Sequence, residues 1–353
     1  MRPPSAADRV DSAPMPRPTI GEAAATVFGY LRGLHATHYL DLGIRMGLFS
    51  ALAQKPRSAE ALARDLGLHP PYVRGFCEMG HHLQILDREG ATYGLAPEMD
   101  RLLASPDDAY FLGGFPPVHL RVAEDYRLYP ELFRSGAVHP YQEHSQGFLE
   151  DVAGASRSLP RMFLDLAAQR LPDLLRRLEA GGRVLDVGCG AGHALATLAE
   201  RFPNLTGVGI EIEPVSAEMA RALVRSRGLG RRIDVRSAWE PAGDFDSAFD
   251  VVTQFLVLHE IRPEWKDDIL ARCARALRPG GTLVLFDEAY PEDAATARDP
   301  IRGFAVVAQW FEMTWGNVIN TRTEILDLVA RAGLRPGPEA ELSRFRIVTA
   351  LKA

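Results

Sequence analysis

Val184-Leu185-Asp186-Val187-Gly188-Cys189-Gly190-Ala191-Gly192 runs from a short apolar strand into a turn of three alternating glycines. A helix-forming stretch, from Ala194 to Arg201, follows at once. Strand, glycine turn and helix start together make a mononucleotide-type site. Glycine lets the backbone approach a ligand, and a helix N-terminus offers unpaired N–H groups. The spacing, D-x-G-x-G-x-G, has no lysine to meet a phosphate. It also places its third glycine one residue earlier than the dinucleotide pattern G-x-G-x-x-G.

From this stretch onward apolar strands alternate with helical runs, the mark of a parallel sheet covered on both faces. The pattern predicts strands at 184–187, 206–210, 233–236, 251–253 and 282–286, with two more near 333–335 and 347–351. Helices are expected near 193–201, 214–227, 264–277 and 323–332. Such sheets bind ligands beyond the carboxyl ends of their strands. Glu211 ends the second strand, about twenty residues past the glycine turn, where a carboxylate accepts from ribose hydroxyls. Glu213 is the second choice. His259-Glu260 follows the fourth strand, and an imidazole there can take a proton at neutral pH.

The glycine turn resembles motif I of the class I S-adenosylmethionine (SAM)-dependent methyltransferases. Phe249-Asp250-Val251-Val252-Thr253-Gln254 resembles their motif IV, and Leu277-Arg278-Pro279-Gly280-Gly281 their R-P-G-G turn. The resemblance implies SAM as methyl donor, a Rossmann-like α/β domain with a mainly parallel seven-stranded sheet, and cofactor contacts from Asp186, Gly188, Gly190, Gly192, Glu211, Ser237, Ala238, Trp239 and Gln254. Ser237 stands where many members carry an Asp for the adenine amino group, and Trp239 is placed to lie on the adenine face. The His259-Glu260 step is similar to the His-Asp step of small-molecule O-methyltransferases with an N-terminal winged-helix dimerisation domain. That similarity implies His259 as general base and Glu260 as its orienter. Metal is not expected.

The amino-terminal half fits the same layout. Residues 1–18 read as a disordered tail, 19–158 as a helical, winged-helix dimerisation domain and 159–353 as the methyltransferase domain. Helical spacing runs through 19–53; helices at 58–66 and about 72–83 lead to a hairpin turning at Asp87-Arg88-Glu89-Gly90. With Glu78, His81 and one arginine, Arg74, on its second helix, the winged unit is too acidic to track phosphates. Residues 107–134 are expected to be helical, and a helix pair is expected over 149–178. The loop His139-Pro140-Tyr141-Gln142-Glu143-His144 offers Tyr141 and His144 to a substrate. The insertion 301–320, with Trp310, Phe311, Met313 and Trp315, is expected to wall the acceptor off from water.

Composition bounds the rest. The 353 residues allow two sizeable cores. A net charge of −6 gives no reason to expect nucleic acid or an anionic membrane, and no apolar run spans a bilayer. Three scattered cysteines point to a reducing, cytoplasmic setting. The expected partners are a small-molecule acceptor and a second copy of the chain. The acceptor atom is left open. A hydroxyl needs a base; the thioether of a small hydroxy acid, gripped by Tyr141, His144 and Arg302 or Arg322, does not. C-methylation of a 2-oxo acid and a non-catalytic SAM-binding regulator are further alternatives.

Overall fold

The computed structural model describes residues 18–239 and 245–353. The expected tail therefore lies outside the described residues except for Pro18, as do Glu240 and Pro241.

Apolar residues at helical spacing form α1 (Ile20–Arg45), which a Thr19–Glu22 capping box opens. Gly47, at φ 69°, breaks the run and starts α2 (Leu48–Gln54). A short strand, β1 (Arg57–Ser58), leads to α3 (Ala59–Leu66) and α4 (Pro70–His82), then to the hairpin β2 (Leu86–Glu89) and β3 (Thr92–Leu95). The hairpin turns at Gly90-Ala91, so Asp87, Arg88 and Glu89 belong to β2 rather than to the turn. The three strands pair antiparallel in the order β1-β3-β2.

The helix expected over 107–134 is instead broken. After α5 (Met99–Leu103) an irregular stretch leads to α6 (Phe115–Asp125), with proline in its first turn, and α7 (Tyr129–Ser135) follows. Proline suits a first helical turn and no later one. The same rule divides the expected helix pair into three. These are α8 (Gln146–Ser156), α9 (Leu159–Arg170) and α10 (Pro172–Glu179), the last two with proline in the first turn.

The remainder alternates as the sequence predicts: β4 (Arg183–Val187), α11 (His193–Arg201), β5 (Thr206–Ile210), α12 (Pro214–Ser226), β6 (Ile233–Arg236), β7 (Phe249–Phe255), α13 (Pro263–Ala276) and β8 (Leu277–Glu288). Then come α14 (Ala294–Arg298), α15 (Phe304–Glu312), α16 (Arg322–Arg331) and the antiparallel pair β9 (Arg335–Leu342) and β10 (Phe345–Leu351). The sheet order is β6-β5-β4-β7-β8-β10-β9, parallel but for β10. Successive residues of each strand feed opposite cores, as a period of two requires. Val184, Val251 and Val284 pack with Leu159, Phe163 and Leu195. Leu185, Val252 and Leu283 pack with Leu270, Ile325 and Val329 on the other face. The strand order reverses between β4 and β7, so a crevice opens beyond their carboxyl ends. Among the described residues no helix is long and apolar enough to cross a membrane.

Candidate active site

That crevice is a cavity of about 520 Å³, in the range of small-molecule sites. The glycine turn, the ends of β5 and β7, and the segments 140–142 and 311–317 line it. Its acidic groups, Asp186, Glu211, Glu213, Glu260, Glu288 and Glu312, outnumber Arg262 and Arg344.

The turn itself differs from the expected row of free amides. Gly188 and Cys189 donate to the Ile210 carbonyl at 2.8 and 3.0 Å, closing the turn on β5. Gly190 donates to Glu211 Oε2 at 2.8 Å, and Glu213 N to Glu211 Oε1 at 2.9 Å. Glu211 is thus fixed at the cavity by two backbone donors, each oxygen keeping a lone pair. Burial raises its pKa against those donors. Glu213 caps α12 by accepting from Val215 N and Ser216 N, at 3.1 and 2.6 Å. Asp186 accepts from Thr253 at 2.6 Å through Oδ1, while Oδ2 is buried without a partner. Burial pushes this carboxyl up to about 7. At Gly190, φ is 53° and a side chain would meet open space. Open space at Gly190, an orphaned acid and a ribose-type carboxylate fit the adenosine and amino ends of SAM.

Asp186, Gly188, Gly190, Glu211 and Trp239 line the cavity, whereas Gly192, Ser237, Ala238 and Gln254 do not. Gly192 lies over Ala220. The Ser237 hydroxyl accepts from Arg221 at 2.7 Å. Gln254 lies on the strand face opposite Thr253 and reaches Cys273 Sγ at 3.7 Å. Gly192 and Gln254 thus have protein as their neighbours, while Ser237 and Ala238 are exposed outside the cavity lining.

β7 ends in a backbone bend, Leu256 at φ 55°, which brings His259 to the cavity. His259 is 3% exposed. Its amide donates to Asp287 Oδ2 at 3.2 Å, and Asp287 Oδ1 pairs with Nδ1. Nε2 lies 3.3 Å from Glu312 Oε2, and Asn317 donates to that oxygen at 3.4 Å. Asp287, not Glu260, therefore orients the ring. Glu260 is open to the cavity beside it. The protein around Glu260 pushes its carboxyl up to about 8, burial acting first, with His259 opposing and Glu312 reinforcing. Asp287 ends a strand beside the expected site, which was a usable signal. Glu312 is a single acid within an apolar aromatic run, the pattern of a buried charge with a task.

Tyr141 lines the cavity, edge-on to Phe148 and Trp315. Burial holds its hydroxyl protonated, as a donor. His144 does not line the cavity. Its Nε2 meets Asp125 Oδ2 at 2.8 Å and its Nδ1 the Tyr141 carbonyl at 3.0 Å, while Trp315 donates to the same Asp125 oxygen at 3.0 Å. Asp125, His139 and His144 bring one ligand atom each within 4.8 Å of one another. Since His144 and Asp125 already hold protein partners, we read the group as the brace behind the Tyr141–Trp315 wall. In the insertion, Phe311 and Trp315 reach the cavity, while Trp310 packs on Tyr129 and Phe133.

A family model described as a methyltransferase domain matches residues 184–281. The chain is 36% identical over 157 residues to aclacinomycin 10-hydroxylase RdmB of Streptomyces purpurascens, a match spanning 43% of this chain and 39% of that relative. It is 26% identical to the 3-hydroxy-5-methyl-1-naphthoate 3-O-methyltransferase of Streptomyces sahachiroi, over 85% of this chain and 86% of the relative. The structure of human N-acetylserotonin methyltransferase in complex with SAM superposes with a TM-score of 0.71 at 17% identity, over 94% of this chain and 98% of that one. Residues 184–281 thus match a methyltransferase domain, and the fold of the whole chain is similar to that of SAM-dependent methyltransferases.

Proposed function

We propose that the chain O-methylates a small aromatic acceptor, with His259 as general base. The observation that carries this reading is the Asp287–His259–Glu312 arrangement at the cavity wall. Asp287 accepts a hydrogen bond from Nδ1–H and so fixes the tautomer that leaves Nε2 basic. Glu312 lies where it stabilises the ring once Nε2 has taken the acceptor's proton. The glycine turn and Glu211 would hold SAM, which would supply an electrophilic methyl group on a sulfonium. The protein's part is to line up acceptor oxygen and methyl group, to exclude water with Tyr141, Phe311 and Trp315, and to hold the released proton on His259. The naphthoate O-methyltransferase among its relatives agrees with an acceptor of this kind.

S-methylation of a small thioether acid finds less support. Arg322 holds Glu339 through two hydrogen bonds of 2.8 Å, and neither it nor Arg302 lines the cavity. The acid grip expected of them is missing there. Release of S-adenosylhomocysteine with phenols, and not with thioether acids, tests the choice. Glu211→Ala is expected to raise the dissociation constant for SAM by about tenfold or more, because a charged hydrogen-bond acceptor is lost. Calorimetric titration measures it, and an unchanged far-UV dichroism spectrum checks that the fold survives.

The amino-terminal unit reads as a winged helix used for packing in a cytoplasmic homodimer, not for DNA binding. Arg74, the one arginine of α4, is held by Glu60 at 2.7 Å. On α1, Val27 (58% exposed), Phe28 (69%) and Leu31 (53%) face outward, a density of exposed apolar side chains that marks an interface. Introducing Phe28→Glu together with Leu31→Glu is expected to turn a dimer into a folded monomer in light scattering. An unchanged mass for the double variant contradicts this role for α1.

A further inference from the structure

The described mechanism leaves one part of the cavity wall without a task. Asp287 serves His259; the next residue of β8, Glu288, faces the other way, lines the cavity and is 5% exposed. Its Oε1 lies 3.2 Å from Arg344 Nη1. Its Oε2 is buried with no hydrogen-bond partner among the described residues. A buried carboxylate oxygen left without a donor is costly, and the protein has packed expensive groups around this one. The Arg344 guanidinium lies over the rings of Phe115, Phe304 and Phe345, at 5.0, 4.6 and 4.7 Å from their centroids. His119 also lines the cavity and shares the Phe304 ring with Arg344, edge-on to Phe304 and Phe311 at 5.8 Å each. Among the described residues its ring nitrogens have no hydrogen bond.

We infer that Glu288, Arg344 and His119 form a recognition subsite that binds a second polar group of the acceptor, a neutral hydroxyl or amine remote from the oxygen that is methylated. This rests on the acceptor reading of the cavity given above. The chemistry sets the ligand class in three ways. Oε2 of Glu288 lacks a donor, so the group must carry an N–H or O–H. Burial pushes the Glu288 carboxyl up to about 7, with Arg344 opposing; above that pH the carboxylate matches the Arg344 charge, so the corner is neutral as a whole and an anionic group meets repulsion from Glu288. Burial and the nearby Arg344 lower the His119 pKa to about 4, so at neutral pH its ring offers one donor and one acceptor. The surrounding rings require the rest of the acceptor to be flat and apolar. Neutral polycyclic phenols with a second hydroxyl or amine meet all three conditions.

The test measures binding as well as turnover, so that the two readings fail separately. Three probes are titrated calorimetrically into the protein saturated with S-adenosylhomocysteine: a naphthol, a naphthalenediol with its second hydroxyl on the other ring, and a hydroxynaphthoate. The wild type is expected to bind the diol about tenfold or more tightly than the naphthol, and the hydroxynaphthoate more weakly than either. In Glu288→Gln, which keeps the volume and frees the Arg344 charge, the diol's advantage falls to within about threefold, and the hydroxynaphthoate gains about tenfold. A purely structural Glu288 would weaken all three probes alike. Equal binding of naphthol and diol by the wild type overturns the subsite whether or not the variant folds. Discrimination by binding without release of S-adenosylhomocysteine from any phenol leaves the subsite standing and overturns the O-methylation reading instead.

Discussion

His259→Ala is expected to lower kcat by roughly 100- to 10,000-fold, the usual worth of a positioned general base, while the dissociation constant for SAM stays the same. The split follows from the geometry: His259 contacts Asp287 and Glu312, whereas the glycine turn and Glu211 are fixed by their own backbone bonds. The pH profile carries further information. Burial works against charging the imidazole, but Asp287, Glu312 and Glu260 outweigh it and hold the ring's proton well above the ordinary histidine value of 6.5. A base acts only in its deprotonated form, so kcat is expected to rise with pH along a limb above that value. Asp287→Asn removes the nearest charge that retains the proton, so the limb moves to lower pH. The plateau falls as well, since the Nδ1 tautomer is no longer fixed. Stopped assays of S-adenosylhomocysteine release across pH measure both effects. Turnover unchanged in His259→Ala removes the base from the mechanism and favours an acceptor with no proton to lose.

Gly190→Val is expected to weaken SAM by about two orders of magnitude or more, in a chain that is less stable but still folded. Two penalties arise, one on folding and one on binding. A β-branched residue at φ 53° sits in a region that costs such a side chain on the order of 1–3 kcal/mol. Its methyl groups also project into space that no protein atom within 4 Å occupies, which is the space a ligand on the turn requires. The first penalty falls on folding and lowers the melting temperature by a few degrees; the second is paid only on binding, and equilibrium dialysis detects it. Gly190→Ala, with one methyl group, is expected to fall between. Wild-type affinity in the valine variant places the cofactor somewhere other than this turn.

Sequence and structure agree where the decisive physics is local. The strands at 206–210 and 233–236 and the helix at 193–201 begin and end where the pattern puts them, because alternation, Pro203 and the glycine turn set those limits within a few residues. The interruptions of 107–134 and 149–178 were also written locally, in Pro116, Pro117, Pro160 and Pro172, but apolar spacing concealed them. The site was legible in part. His259 and Glu211 stand at strand ends, which a sequence marks. Asp287 meets His259 across 28 residues, and Glu312 comes from an insertion that only folding brings over the sheet. Gln254 shows what a motif position does not reveal: the strand pleat turns its side chain to Cys273, 3.7 Å away, and not to the cavity.

The glycines of the turn work for different clients. A side chain at Gly190 would intrude on a guest. One at Gly188 would instead strike the host: Val257 Cγ1 and Cγ2 lie 2.8 Å from where its Cβ would be. Val257 belongs to the bend that carries His259, so the glycine turn and the arm that holds His259 rest on each other without a gap. Enlarging Gly188 would therefore push on the arm of the proposed base before it reached a ligand on the turn.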